Sequence, residues 1–177
     1  MESRAKALGH PIHPMLIVFP LGLLATAVVF DILYLITDQS GFAVAAAYAI
    51  AAGLIGGLVA AVFGLIDWIA IPAGSRAKRI GAVHGLGNVV VVLLFAVSWL
   101  LRSRADGWDP SVLAMVFSFA GVALSGLTGW LGGELVYRLN VGVDESANVD
   151  ASSSLSRTRG GGVGQRAGTP GAGPAGV

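Results

Sequence analysis

Four stretches of the chain contain no Asp, Glu, Lys or Arg: residues 14 to 30, 39 to 66, 80 to 101 and 110 to 133. Each approaches or exceeds the roughly 20 apolar residues that an α-helix needs to cross about 30 Å of hydrocarbon. Their hydrophobic residues run on without the alternation a closed barrel requires, so the pattern predicts helices. These span about 14–37, 42–71, 81–102 and 110–138, and the expected fold class is all-α, an integral membrane four-helix bundle. From about Asp144 the sequence turns to Ser, Gly, Pro and Ala with a few Arg, a composition that cannot bury enough surface to fold alone. The expected organisation is a transmembrane domain over 1–143 and a disordered cytoplasmic tail over 144–177.

Composition supports the same picture. Of 177 residues, 55% are hydrophobic and 12% charged, which lies outside the soluble globular class. Arg4 and Lys6 precede the first apolar segment, as in a signal peptide. No small-x-small pattern follows it at Thr37-Asp38-Gln39-Ser40, however, and the segment is long for a signal sequence, so it is expected to stay as a membrane helix. The absence of cysteine excludes disulfides, thiolate-held iron–sulfur or zinc centres and cysteine nucleophiles. The net charge of +1 says little about partners; the lipid bilayer is the expected surrounding and no nucleic acid is expected.

The placement of charge is more informative. Arg4, Lys6, Arg76, Lys78, Arg79 and Arg138 fall on one side of the predicted spans, with Arg157, Arg159 and Arg166 farther out, against Arg102 and Arg104 on the other. The positive-inside rule then predicts a multi-pass protein of the cell (inner) membrane with both termini cytoplasmic. Trp68, Trp130 and Tyr137 fall at the predicted inner boundary, and Tyr34, Trp99 and Trp108 at the outer one, as interfacial aromatics do.

Small residues recur along two helices. Gly53, Gly57, Ala60, Gly64 and Asp67 form a stripe on the second, and Ser118, Gly121, Ser125, Thr128 and Gly132 form one on the fourth. In lipid such stripes let helix backbones approach closely, and they would equally admit a flat cofactor between helices.

Candidate chemistry gathers at the cytoplasmic end. In His10-Pro11-Ile12-His13-Pro14 each histidine precedes a residue or a step constrained by proline, so both are expected on a stiff non-helical lead-in with Pro14 at the first helical position. His13 would stand at a helix amino terminus, which favours the neutral, ligand-competent ring. His84 and Asn88 are four apart and share a face of the third helix, among Gly81, Gly85 and Gly87. Asp67 ends the stripe of the second helix, where an ionisable group is costly; it is expected to pair with Arg76, Lys78 or Arg79, or to orient an imidazole. Asp31 shares an angular face with His13, but eighteen residues span about 27 Å, so it is expected near the outer interface as a helix-end or loop contact. Glu134 has the right depth but points about 160° away from the Gly132 side of its helix, unless Gly132-Gly133 distorts that helix.

Neutral imidazoles with a carboxylate suit zinc, iron or manganese, and two imidazoles on different helices suit the axial positions of haem b. The preferred cofactor ligands are His13 and His84, supported by His10, Asp67 and Asn88. For a bare transition metal the set is His10, His13, His84 and Asp67. Arg76, Lys78 and Arg79 would pair with haem propionates. A proton-coupled carrier or channel using Asp67, His84 and Asn88 is the first alternative, and a non-catalytic membrane interaction module the second.

The motifs Gly9-His10-Pro11-Ile12-His13-Pro14 with Phe19-Pro20, Gly64-Leu65-Ile66-Asp67-Trp68, His84-Gly85-Leu86-Gly87-Asn88 and Gly132-Gly133-Glu134-Leu135-Val136-Tyr137 resemble those of the bacterial membrane family called domain of unknown function 2231. The resemblance covers about residues 7 to 143 and implies the four-helix membrane architecture. Relatives in which such a domain is joined to a Rieske iron–sulfur domain imply electron transfer. This chain lacks the cysteines of a Rieske centre, so the implied redox partner is a separate protein.

Overall fold

The computed structural model describes residues 1–156. A two-residue hairpin, β1 (Lys6–Ala7) and β2 (His10–Pro11), precedes the helices. It turns through Leu8 and Gly9, both at positive φ (51° and 86°). The helices are α1 (Ile12–Leu16), α2 (Val18–Thr37), α3 (Ser40–Ala70), α4 (Arg76–Arg102) and α5 (Val112–Gly133), and a π-helical turn, Glu134–Arg138, continues α5. Helices α1 and α2 form one span. Pro20 has no N–H to give the Leu16 carbonyl, so the helix breaks at Ile17, while bonds from Ile17 N to His13 O and from Leu21 N to Ile17 O carry the chain across.

Four spans, Ile12–Thr37, Ser40–Ala70, Arg76–Arg102 and Val112–Arg138, are long and apolar enough to cross a membrane. The bundle faces lipid with apolar side chains: Leu35, Ile55, Leu58, Val83, Leu86, Val89, Leu113 and Leu127 are all exposed. Its interior holds Leu24, Ala27, Ala46, Ile50, Val91 and Phe95, together with the polar residues Asp31, Ser98, Arg102, Ser118 and Thr128. Helices α2 and α3 pack as one hairpin and α4 and α5 as another, while α3 against α4 and α2 against α5 join the hairpins into a ring. The first and third spans therefore lie diagonally across the bundle axis.

Helix entry differs from the expected pattern at two places. Ile12 already donates its N–H to Ala5 O, so the first helix starts there with Pro11 as its N-cap. His10 lies in β2, and His13 is inside the first helical turn. Pro14 is the third helical residue, still among the N–H positions that need no helical partner. The third span starts at Arg76, five residues before its expected start, because the Ser75 hydroxyl accepts from Lys78 N and caps it. Arg76, Lys78 and Arg79 are consequently helical.

The amino terminus meets the segment that follows the fourth span. The Met1 amino group donates to Asn140 O at 2.9 Å, and Gly142 N donates to Met1 O at 2.9 Å. At the opposite end Trp99, Trp108 and Tyr48 form an aromatic cluster, with ring centroids 5.4 Å apart for Trp99–Trp108 and 6.4 Å for Tyr48–Trp108. Residues 144–156 form turns without helix or strand; the rest of the expected tail, 157–177, lies outside the described residues.

Candidate functional site

His13 and His84 meet across the bundle axis, their ring centroids 6.4 Å apart and their planes at 88°. Each ring is pinned by the neighbouring helix of its own hairpin. His13 Nδ1 is 2.9 Å from Ala60 O on α3, and His84 Nδ1 is 2.8 Å from Thr128 O on α5. A carbonyl only accepts, so both Nδ1 atoms carry a proton, and in the neutral rings it is Nε2 that offers the lone pair. A backbone carbonyl on one imidazole nitrogen is the usual device for orienting the other toward a ligand.

Glycine makes the room for these rings. A Cβ on Gly64 would lie 2.9 Å from His13 Cε1 and Nδ1, and one on Gly132 would lie 3.2 Å from His84 Cε1. The two small-residue stripes thus seat the imidazoles, as well as letting the helices approach. Asn88 completes the arrangement: its amide donates to His84 O at 2.9 Å and lies 3.3 Å from His84 Nε2, while its Oδ1 accepts from Thr128 Oγ1 at 3.1 Å.

The remaining candidates are engaged elsewhere. His10 Nε2 contacts Ser154 Oγ at 3.2 Å. Asp67 binds neither an imidazole nor Arg76, Lys78 or Arg79. Its carboxylate accepts from Ser3 Oγ at 2.8 Å, from Arg4 N at 2.9 Å and from Ala5 N at 3.3 Å, which fastens the amino-terminal segment to α3. The Ser3 hydroxyl and two backbone N–H groups of this segment satisfy the carboxylate without a cation. Arg76 pairs with Glu134 at 2.6 Å. Lys78 caps α3 by donating to Trp68 O at 2.7 Å, with its ammonium 4.0 Å from the Trp68 ring centroid. The backbone does widen into a π turn after Gly133, yet Glu134 turns to Arg76 and away from the histidine pair. Among the described residues, no group of three or more His, Cys, Asp or Glu is placed to hold a metal ion, so His10, His13, His84 and Asp67 do not form one ligand set.

The role of Asp67 predicts a clear result. Asp67→Ala removes a charged acceptor shared by two backbone N–H groups, and a hydrogen bond to a charged group contributes about 1.5–3 kcal/mol. Amide exchange at Arg4 and Ala5 should accelerate by about tenfold or more. Exchange in α4 should stay unchanged, because Asp67 makes no hydrogen bond to that helix.

The largest departure from expectation is Asp31. It is no loop contact: both its oxygens bind Arg102, Nη1 to Oδ1 at 2.7 Å and Nη2 to Oδ2 at 2.6 Å, and both side chains are 0% exposed. Arg102 also donates from Nε to Ser98 Oγ and from Nη2 to Ser118 Oγ, each at 3.2 Å. Arg102 is therefore an interior residue, and each nitrogen of its guanidinium has a partner. The signal for it was present in sequence: Ser98 and Arg102 are four apart on one face of α4, and Ser118 belongs to the stripe of α5.

Fold and site together define a class: a membrane protein of four spanning helices, with paired imidazoles at one end of the bundle axis and a buried ion pair toward the other. The chain belongs to the family described as predicted membrane protein (DUF2231), whose model matches residues 9–145. No curated protein and no solved structure matches the chain significantly.

Proposed function

We propose that this protein is an electron-transfer component of the cytoplasmic membrane, both termini in the cytoplasm, in which His13 and His84 would hold the iron of a haem b. The observation that carries the reading is the pair of imidazoles at 6.4 Å, each with Nδ1 held by a carbonyl; the Asn88 amide, 3.3 Å from His84 Nε2, would give up that contact to a metal. Imidazole nitrogens bind metals at about 2.0–2.1 Å, which puts two rings on opposite sides of one atom roughly 6 Å apart between centroids. Haem iron needs only two ligands from the protein. A bare transition metal, the alternative source of the same chemistry, would need more than these two imidazoles. Arg79 and Arg138 lie at the same end as the pair, where propionates would find cations. A bound haem would supply one-electron redox chemistry, with a separate protein as its redox partner.

A proton carrier is less well supported. On α4 the polar groups stop at Asn88 and resume at Ser98, and the buried Val91 and Phe95 lie between them. Phe95 packs on Gly121, where an added Cβ would lie 2.7 Å from the ring.

Absorption spectra and metal analysis of the detergent-purified protein, expressed with ample haem and iron, test the proposal. The expected result is a Soret band lost in both His13→Ala and His84→Ala. Stoichiometric metal without a Soret band would assign the imidazoles to a metal ion. A colourless, metal-free protein would overturn the redox reading and leave a membrane interaction module.

A further inference from the structure

We infer that the four spans are two copies of one helical hairpin, related by a pseudo-twofold axis along the bundle, and that the His13–His84 site lies on this axis and is built from equivalent atoms of both copies. The ligand it suits is one with two equivalent faces. This last step rests on the proposed haem reading; the duplication does not.

The contacts repeat in register. An offset of 71 residues separates Asp31 from Arg102, and the same offset takes His13 to His84, Leu24 to Phe95 and Ala27 to Ser98. In the second helix of each hairpin an offset of 68 residues takes Ala60 to Thr128, Gly64 to Gly132, Gly53 to Gly121, Ile50 to Ser118 and Ala46 to Ala114. Equivalent residues make equivalent contacts. His13 binds Ala60 O and lies on Gly64, while His84 binds Thr128 O and lies on Gly132. Leu24 fills the space over Gly53 as Phe95 fills that over Gly121, and an added Cβ would come within 2.7 Å in both cases. Ala46 and Ala114 are both fully buried, as are Ala27 and Ser98, and Ile50 and Ser118.

Asn88, which binds His84, stands where the first hairpin has Ile17; two other differences compensate each other. Thr128 is larger than its counterpart Ala60, and its methyl fits because Gly87 stands where the first hairpin has Leu16; a Cβ there would lie 2.6 Å from Thr128 Cγ2. On the axis, identical side chains at positions 31 and 102 would set two like charges together in the membrane. Asp in one copy and Arg in the other turn that repulsion into an ion pair, and Ser98 and Ser118 serve the arginine where the aspartate half has Ala27 and Ile50. First and third spans run the same way through the membrane, so the relating axis is parallel to the membrane normal, as in other parallel-repeat membrane folds. Under the haem reading, His13 and His84 would be the two residues that hold the iron, one from each copy.

The duplication is tested in the full-length protein by exchanging the two halves of the ion-pair site. Asp31→Arg alone opposes two arginines and should fail to give a folded bundle. Adding Arg102→Asp, Ala27→Ser, Ser98→Ala, Ile50→Ser and Ser118→Ile rebuilds the same site on the opposite hairpin. The expected result is a thermal transition within a few degrees of the wild type, whether or not haem is bound. A six-residue variant no more stable than Asp31→Arg would overturn the duplication while leaving the wild-type Soret band untouched. For the site, His13→Met and His84→Met in the haem-loaded protein should give matching spectra, and a spectrum altered by only one of them would overturn its equivalence.

Discussion

Arg102→Leu should destabilise the bundle by roughly 3–5 kcal/mol, the range expected when one partner of a buried ion pair is removed. The carboxylate of Asp31 is 0% exposed and receives both its charged hydrogen bonds from Arg102. Without the guanidinium it must ionise in an apolar interior or take up a proton. Ser98 and Ser118 still satisfy each other at 2.8 Å, so the penalty falls on Asp31. The double variant Asp31→Leu with Arg102→Leu removes both charges and should recover a substantial part of the loss, since apolar replacement of a whole buried pair is often neutral. Thermal unfolding in detergent, followed by circular dichroism, reads both. A single variant as stable as the wild type would show that the carboxylate reaches water in the folded protein.

Gly64→Val should displace the His13 imidazole and cost about 1–3 kcal/mol through overpacking. The Cβ alone would come within 2.9 Å of two ring atoms, and the branched methyls leave the ring no place on that face of α3. Ala60 O would lose its donor, and the pairing with His84 would open. In a haem-loaded protein the same change should abolish the low-spin spectrum. Gly129→Ala on α5 is the control, because nothing lies within 4 Å of an added Cβ there. It should be neutral or slightly stabilising, since alanine is the better helix former. Equal effects of the two variants would mean that Gly64 does not seat the ring.

These residues also show how far the sequence could be read. Charge-free runs marked the four spans, and depth counting correctly brought His13 and His84 to one end. The small stripes on α3 and α5 were visible, but not what filled them, because a glycine reports only that something comes close. The depth of Asp31, away from the histidines, is legible in the sequence. Sequence places Arg102 at the outer end of the third helix, counted with Arg104 as an outer-side charge, and does not show that it turns inward to Asp31. Asp67 was matched to cations by proximity in sequence, whereas its donors come from Ser3, Arg4 and Ala5. The internal repeat stayed hidden because its two helices repeat at different offsets and share few identical residues.

Sequence alone determined the spans and the shared face of the two ends. Hydrocarbon offers backbone groups no partners, so each long apolar run must satisfy its own hydrogen bonds as a helix, and an even number of such helices returns the chain to its starting face. Only the tertiary structure decided which polar groups meet. Helix packing sets those pairings through the rotation of each span about its own axis. That rotation depends on whether a ring fits over a glycine one turn away from a carbonyl, or a guanidinium reaches a carboxylate on the diagonal helix.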